Sequence, residues 1–333
     1  MTTIIDADRP ICDPHHHLWH HETKPYLLEH LLDDLGGGHN FVSTVFVECL
    51  SEYRQDGESA LKPVGETEFV ETVAASVAQD SSISTAVCAG IVSFADLLLG
   101  EAVGPVLDEH TTASNRFCGI RHSAAFDPSP DIRKSHVDPP QHLFLRDDFR
   151  QGFAELGKRN LSFDAWLFHP QIPELTELAR AFPATPIVLD HFGGPLGIGP
   201  YRNKSEEVFQ SWLPAITELA KCPNVYAKLG GALMPINGFS RLPAPMVAEE
   251  IVDATGRYYR ETLALFGPER CMFESNFPVD RVNTSYSELW NAFKIIAKDF
   301  SAADNDLVFH DVAASFYRLP PNPTREITGI LAR

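Results

Sequence analysis

Short apolar runs alternate with longer stretches of helical periodicity along the chain, and this alternation constrains the fold more than any other feature of the sequence. It is typical of βα units built around a parallel sheet. The predicted strands are residues 11–18, 42–49, 85–92, 117–124, 163–168, 187–192, 225–230 and 271–277. The clearest helical segments between and after them are residues 66–78, 171–182 and 285–299.

Eight such units predict an α/β fold of the (β/α)₈ TIM-barrel type, formed as a single domain by residues 1–333. A doubly wound open sheet is the main alternative, but no glycine-rich phosphate loop follows the first strand. Three long segments without clear periodicity, residues 19–40, 123–147 and 234–245, each follow a strand. We therefore expect long loops over the C-terminal mouth, where barrel enzymes place their active sites.

The charge of the chain excludes several classes of partner. A net charge of -18 and a pI near 5.1 argue against nucleic acid and anionic membranes, which both require a basic surface. Residues 1–13 lack the pattern of a signal peptide, and no apolar run approaches the roughly 18 residues that span a bilayer. We expect a cytoplasmic protein with a small-molecule substrate, and a homo-oligomer is possible.

The six cysteines contain no CxxC pair and lie mostly within apolar runs. This pattern indicates buried, reduced thiols that act as small hydrophobic side chains. Disulfides and a thiolate zinc site are not expected.

Three consecutive histidines end the first predicted strand. Alternation along a strand places His15 and His17 on one face, while His16 points to the other. Two imidazoles should therefore converge at the mouth of the barrel. Paired neutral imidazoles suit zinc and similar divalent ions, although a surface histidine cluster is the structural alternative.

The His-x-His motif resembles the opening motif of the amidohydrolase superfamily. Further stretches are similar to the lactone-hydrolase branch of that superfamily, which includes 2-pyrone-4,6-dicarboxylate lactonase and sugar-lactone hydrolases such as fuconolactonase. They are GIR at 119–121, FD at 163–164, HPQ at 169–171, VLDHFGGP at 188–195, KLGG at 228–231 and SNFPVD at 275–280. Each is weak alone, but their order and spacing run from the first strand to the eighth.

The resemblance implies a barrel enzyme with His191 as the third site histidine. It implies a metal site formed by His15, His17 and His191 if a metal is bound. The cofactor stays open between one divalent metal such as Zn²⁺ and none, because members similar to the pyrone lactonase can work without a metal.

Five further residues are candidates for binding a substrate. Arg121 ends the fourth strand and offers a planar fork for a carboxylate or a lactone oxygen, or it forms a salt bridge at the rim. Lys228 could anchor an anion or pair with an acidic neighbour, either Glu274 or Glu48. His169, His122 and Arg54 complete the set, with hydrogen bonding to the backbone as the alternative for His169.

Glu48 ends the second strand in a wholly apolar context, where a carboxylate is costly unless it has a partner or a function. It could be a metal ligand, a general base or the partner of Arg54 or Lys228.

The eighth strand departs from the family pattern. Relatives usually carry Ser-Asp-Trp-Pro there, with the aspartate as the expected general base, whereas this chain has Asn276 in the corresponding position. An amide cannot accept a proton from water as a carboxylate does. We expect Asn276 to enter the pocket and act by hydrogen bonding, with proton transfer assigned to Glu48 in preference to Glu274 or Asp280.

These residues support three functional hypotheses. The first is hydrolysis of a small lactone or cyclic ester that bears a carboxylate, with the histidines polarising the carbonyl and a carboxylate activating water. The second is a metal-dependent decarboxylase of an aromatic or muconate-type acid, as in a related branch of the superfamily. The third, motivated by Asn276, is a barrel that binds a small molecule without turning it over.

Overall fold

A computed structural model describes residues 2–20, 24–133, 137–239 and 244–321. Eight parallel strands form one sheet in chain order, and each strand pairs with the next. The ring closes where β8 meets β1, since His17 N donates to Phe277 O at 2.8 Å and Asn276 N donates to His15 O at 2.9 Å. The predicted (β/α)₈ barrel is confirmed. The strands are β1 (Pro10–His16), β2 (Asn40–Val47), β3 (Ala86–Ser93), β4 (Phe117–Arg121), β5 (Ser162–Ala165), β6 (Ile187–Leu189), β7 (Val225–Leu229) and β8 (Cys271–Phe273).

Helices surround the sheet and return the chain from the end of each strand to the start of the next. They are α1 (Leu28–Leu35), α2 (Val64–Ala78), α3 (Gly104–Ala113), α4 (Asp147–Lys158), α5 (Ile172–Ala181), α6 (Ser205–Ala220), α7 (Ala248–Phe266) and α8 (Tyr286–Ile296), followed by α9 (Ala302–Asp306) and α10 (Val312–Phe316). The three helices predicted from periodicity are α2, α5 and α8, with ends moved by a few residues. No helix in the described ranges is long and apolar enough to cross a membrane.

The predicted strands exist, but several end earlier than expected. The backbone leaves the sheet just before the residues that carry chemistry: His191 and Phe192 have φ of 52° and 58°, and Asn276 has φ of 54°. These left-handed conformations interrupt the extended backbone at the ends of β6 and β8. The long segment at 19–40 was also wrong as a continuous loop, because it contains α1. Parts of the three predicted loops, residues 21–23, 134–136 and 240–243, lie outside the described residues.

The core consists of two main layers. Large side chains such as Trp212 and Trp290 fill the space between the sheet and the helices. A second apolar cluster lines the inside of the barrel, and α10 with the residues after it packs against that cluster. The six cysteines carry free thiols, five of them buried, as the sequence predicted.

Helix α4 approaches the turn at Leu97–Val103 so closely that position 152 has no room for a methyl group. A Cβ on Gly152 would lie 2.1 Å from the backbone oxygen of Leu97, whereas a Cβ on Gly157 in the same helix would meet only Thr185 Oγ1 at 3.1 Å. Gly152→Ala should therefore destabilise the fold by about 1–3 kcal/mol, the usual cost of overpacking. Gly157→Ala, the matched control, should be neutral or slightly stabilising. Urea unfolding of both variants measures the difference, and equal midpoints would contradict this packing.

Candidate active site

A layer of ionisable side chains lies inside the barrel directly above an apolar layer. Asp190, Lys228 and Glu274 each stand two residues beyond an apolar inner residue of β6, β7 or β8, so strand alternation directs all three inward. All three are fully buried. Lys228 Nζ donates to Asp164 Oδ2 at 2.6 Å and lies 3.2 Å from Asp190 Oδ1. The strands therefore bring together charges that have no water to solvate them.

Glu274 holds two of the predicted histidines together. Its Oε2 lies 2.7 Å from His15 Nδ1, and its Oε1 lies 2.6 Å from His191 Nδ1, with the two rings 4.6 Å apart. Arg121 Nη1 lies 3.2 Å from His15 Nε2. Lys228 Nζ lies 3.1 Å from the other ring nitrogen, His15 Nδ1, so both nitrogens of this imidazole have a cation within hydrogen-bond distance. The prediction that His15 and His191 meet at the mouth fits this geometry.

His17 lies on the same side of the barrel but is oriented by the backbone. Its Nδ1 lies 2.7 Å from Val47 O, a carbonyl that can only accept, so Nδ1 carries the proton and Nε2 keeps its lone pair. Its ring is 5.0 Å from that of His15 and stacks on Trp19. His16 points away, as predicted, and its Nε2 lies 2.9 Å from Thr44 Oγ1.

The imidazoles are held neutral. Burial lowers the pKa of His191 to about 3 and lowers the pKa values of His15 and His17 well below the usual range, with Lys228 and Arg121 adding to the effect. The carboxyl of Glu274 responds in the opposite direction. Burial raises its pKa well above the usual range; Lys228 lowers it and Asp190 raises it. The site thus favours neutral imidazoles and disfavours additional negative charge.

Arg121 and Glu48 form a buried ion pair, which corrects two predictions. Arg121 Nε donates to Glu48 Oε1 at 2.7 Å, and its Nη2 donates to the Glu48 backbone carbonyl. The predicted partners of Glu48, Arg54 and Lys228, were therefore wrong. Lys228 does not pair with Glu48 or Glu274 through a direct hydrogen bond, because its ammonium is used by Asp164 and Asp190 beneath the histidines. It has no exposed surface with which to anchor a substrate.

Three other candidates lie away from this cluster. Arg54 forms ion pairs with Glu68 and Glu109 among the outer helices. His122 packs its ring between Phe94 and Phe149 of the outer layer, since it follows the inward-facing Arg121 by one residue and so faces the other way. His169 lies in a turn after β5, where its Nδ1 accepts a 3.4 Å hydrogen bond from Leu196 N, the backbone contact that was its structural alternative.

Asn276 makes a side-chain hydrogen bond to one of the acids considered as its substitute. Its Nδ2 donates to Asp280 Oδ1 at 3.3 Å, and Leu233 N donates to Asp280 Oδ2 at 3.4 Å. Burial raises the pKa of Asp280 to about 8. A carboxyl with raised basicity therefore lies directly beside the position where relatives carry their aspartate.

Sequence reasoning missed the parts played by Asp164 and Asp190. Both stand in motifs quoted for the family resemblance, but neither was proposed as a site residue. The signal was available, because Asp164 and Asp190 fall on the inward-facing register of β5 and β6, as Lys228 does on β7. Asp13 was also overlooked. It accepts hydrogen bonds from Ser275 and Tyr286 and so fastens β1 to the turn after β8.

The residues that could hold a metal differ from the predicted set. His15, Asp190 and His191 offer ligand atoms within 4.8 Å of one another, and His17 is not among them. Both oxygens of Asp190 are buried, and neither meets hydrogen-bond geometry with any described residue, although Lys228 Nζ is 3.2 Å from one of them. The buried layer contains two cations, Arg121 and Lys228, and they are outnumbered by four carboxyls, those of Glu48, Asp164, Asp190 and Glu274. Two imidazoles and a carboxylate in this setting fit a divalent ion such as Zn²⁺.

A family model described as Amidohydrolase matches residues 12–319. The chain belongs to the amidohydrolase family. The match includes every strand except the first two residues of β1, together with all the site residues described above. This amidohydrolase is thus an enzyme of the hydrolase class, and the family resemblance predicted from the motifs is confirmed.

Curated relatives extend the comparison. The chain is 34% identical over 335 residues to the uncharacterized protein y4mH of Sinorhizobium fredii, covering 94% of this chain and 100% of that one. It is 30% identical over 176 residues to L-fucono-1,5-lactonase of Burkholderia multivorans, an alignment that spans 52% of this chain and 56% of the lactonase. A lactonase is therefore among the relatives, matched over about half of its length.

Solved structures share the fold. A crystal structure of an amidohydrolase from Burkholderia multivorans, with bound zinc, superposes with a TM-score of 0.70 at 23% identity, covering 94% of this chain and 100% of that one. At this identity the likeness establishes the barrel architecture alone.

The raised pKa of Asp280 predicts a pH-dependent penalty on stability. Its folded pKa of about 8 lies above the unfolded value near 4, so ionisation costs folding free energy progressively as the pH rises from about 4 to 8. Asn at this position cannot ionise. The stability of Asp280→Asn relative to the parent should therefore increase over this range by at least about 1 kcal/mol. Thermal unfolding at pH 4.5, 6 and 8 measures the difference, with exposed Asp299→Asn as the control; a constant difference would contradict the buried placement of Asp280.

Proposed function

We propose that this amidohydrolase hydrolyses a small neutral lactone of the sugar-lactone type. The observation that carries the proposal is the buried set of neutral imidazoles and excess carboxyls at the C-terminal mouth. The lactonase relative supports the reaction class, and its printed name, L-fucono-1,5-lactonase, supports a polyhydroxylated substrate.

The ion pairs of the two buried cations, Arg121 and Lys228, support a neutral substrate in place of the carboxylate-bearing substrate expected from the sequence. Arg121 is paired with Glu48, and Lys228 with Asp164 and Asp190, so each cation already has protein carboxylates as counter-ions. A substrate carboxylate would enter a region in which acids are already in excess, and that is electrostatically unfavourable. A neutral ring with hydroxyl groups avoids this cost.

His15, Asp190 and His191 would hold a divalent ion such as Zn²⁺. When bound, the ion would supply Lewis-acid polarisation of the lactone carbonyl. The chain's own residues prepare the site, because the carboxyl of Glu274 lies within 2.7 Å of a ring nitrogen of both His15 and His191. His17, with the proton on Nδ1, offers a lone pair and not a donor, so it serves as a ligand or an acceptor and does not polarise a carbonyl by itself.

We assign the proton transfer to Asp280 in place of Glu48. Glu48 is fully buried, its Oε1 accepts a hydrogen bond from Arg121 Nε at 2.7 Å, and its backbone carbonyl accepts another from the same guanidinium, so we treat it as the counter-ion of Arg121. Asp280 has no ion pair with a described cation, and its pKa near 8 is matched to work around neutral pH. In this assignment ionised Asp280 accepts a proton from the attacking water, while the amide of Asn276 holds the carboxylate in position.

A lactone panel tests the proposed reaction. Neutral aldonolactones such as L-fucono-1,5-lactone should be opened to the aldonic acid, detected by acid release, faster than the carboxylate-bearing 2-pyrone-4,6-dicarboxylate. Turnover of only the dicarboxylate would overturn the neutral-substrate assignment. Release of carbon dioxide from an aromatic acid, with no lactone opened, would favour the decarboxylase. Binding without turnover of any substrate would favour a catalytically inactive barrel.

Three variants test the assignment of the base. Asp280→Asn should lower kcat about 10²-fold or more and remove the rise of activity with pH that ends near pH 8. Glu48→Gln should have the smaller effect on kcat. Asn276→Asp places a second carboxylate about where Nδ2 now lies, 3.3 Å from Asp280 Oδ1, and should move the rise to higher pH because two adjacent carboxylates share a proton. Full activity in Asp280→Asn with loss in Glu48→Gln would return the role to Glu48.

A further inference from the structure

The C-terminal segment from Val312 to Leu319 packs into the barrel from the end opposite the catalytic mouth. Phe316 packs its ring 5.0 Å from that of Tyr226 near the start of β7, and Arg318 donates a hydrogen bond to Cys118 O near the start of β4. Leu319 fills the space beside Gly90 of β3, where a Cβ would lie 2.9 Å from it. This segment therefore closes the lower end of the barrel.

One residue of this segment reaches the charged layer. The hydroxyl of Tyr317 donates to Asp164 Oδ2 at 2.7 Å, and the same oxygen accepts from Lys228 Nζ at 2.6 Å. Lys228 Nζ also lies 5.5 Å from the centre of the Tyr317 ring. At most 1% of the surface of each of these three residues, Tyr317, Asp164 and Lys228, is exposed. A tyrosine from the end of the fold thus contacts the ion pair beneath the histidines.

Lys228 connects Asp164 to the residues of the site. Its ammonium lies 3.2 Å from Asp190 Oδ1 and 3.1 Å from His15 Nδ1, so its position sets the local charge at both residues. Asp164 Oδ2 is the nearest of these three partners of the ammonium, at 2.6 Å. If Asp164 loses the Tyr317 hydroxyl, its carboxylate is free to rotate and the ammonium can follow it.

We propose that Tyr317 is a positioning residue, which acts through Asp164 to hold Lys228 beneath Asp190 and His15. The kinetic consequence rests on the proposed function, whereas the position of Lys228 does not. The C-terminal segment is then part of the active site's support and not only a plug for the barrel. Its effect is on the arrangement of the site and not on contact with the substrate.

Tyr317→Phe removes only the hydroxyl and keeps the packing ring. We expect kcat on the best lactone of the panel to fall about tenfold with little change in KM, the scale expected for losing one hydrogen bond to a charged group. Tyr226→Phe is the matched control, because it removes the same atom from a ring that packs on the same segment, and no described residue is hydrogen-bonded to its hydroxyl. It should retain parental kinetics. Equal kcat in the parent and Tyr317→Phe would overturn the proposal.

A double-variant cycle and crystal structures separate positioning from general destabilisation. In an Asp164→Asn background, Tyr317→Phe should have almost no further effect on kcat, whereas an additive loss would overturn the route through Asp164. Crystal structures should show Lys228 Nζ displaced in Tyr317→Phe and in place in Tyr226→Phe. If no lactone is turned over by the parent, the proposed function fails and this structural comparison alone decides: an unmoved Lys228 would reject the positioning role.

Discussion

Charges buried inside the barrel have no water to solvate them, and this constraint governs the arrangement of the site. Each ionised group must find a partner within the protein. Arg121 meets Glu48, Lys228 meets Asp164 and Asp190, and Glu274 meets two imidazoles. Burial raises the pKa of Glu274, and neighbouring Asp190 and Asp13 add to the effect against the opposing charge of Lys228. The acids of this layer still outnumber its cations, and a divalent cation would offset that excess.

The surrounding elements fix this cluster from several directions. Asp13 fastens β1 to the turn after β8, the backbone of Val47 orients His17, and Tyr317 supports the ion pair from below. The side chains at the mouth of a barrel come from different strands, so a small displacement of any one strand would separate the imidazoles. Buried hydrogen bonds to backbone and carboxylates restrict each side chain to one orientation. These contacts hold the site side chains in one arrangement without a substrate.

Much of this could be predicted from the sequence, because alternation and motif order are local properties. The barrel and the opposite orientation of His16 follow from strand periodicity, whereas the assignment of His191 to the site beside His15 comes from the family resemblance of its motif. The pairing of Glu48 with Arg121 could not be deduced, because the two residues are 73 positions apart in the chain. Which of several cations lies within hydrogen-bond distance of Glu48 depends on the three-dimensional packing. Arg54 likewise pairs with distant acids of the outer helices, Glu68 and Glu109, whereas strand alternation alone places His122, the neighbour of inward-facing Arg121, in the outer layer. The left-handed turns at His191 and Asn276 were equally invisible to a periodicity argument.

Calorimetric titration with Zn²⁺ tests most directly the proposal that His15, Asp190 and His191, set among an excess of buried carboxyls, form a divalent-cation site. Chelator-treated protein should bind one equivalent of Zn²⁺ per chain, and Asp190→Asn should weaken that binding by at least about tenfold while exposed Asp299→Asn leaves it unchanged. Absence of stoichiometric binding by the parent, or equal affinity in the parent and Asp190→Asn, would contradict the account.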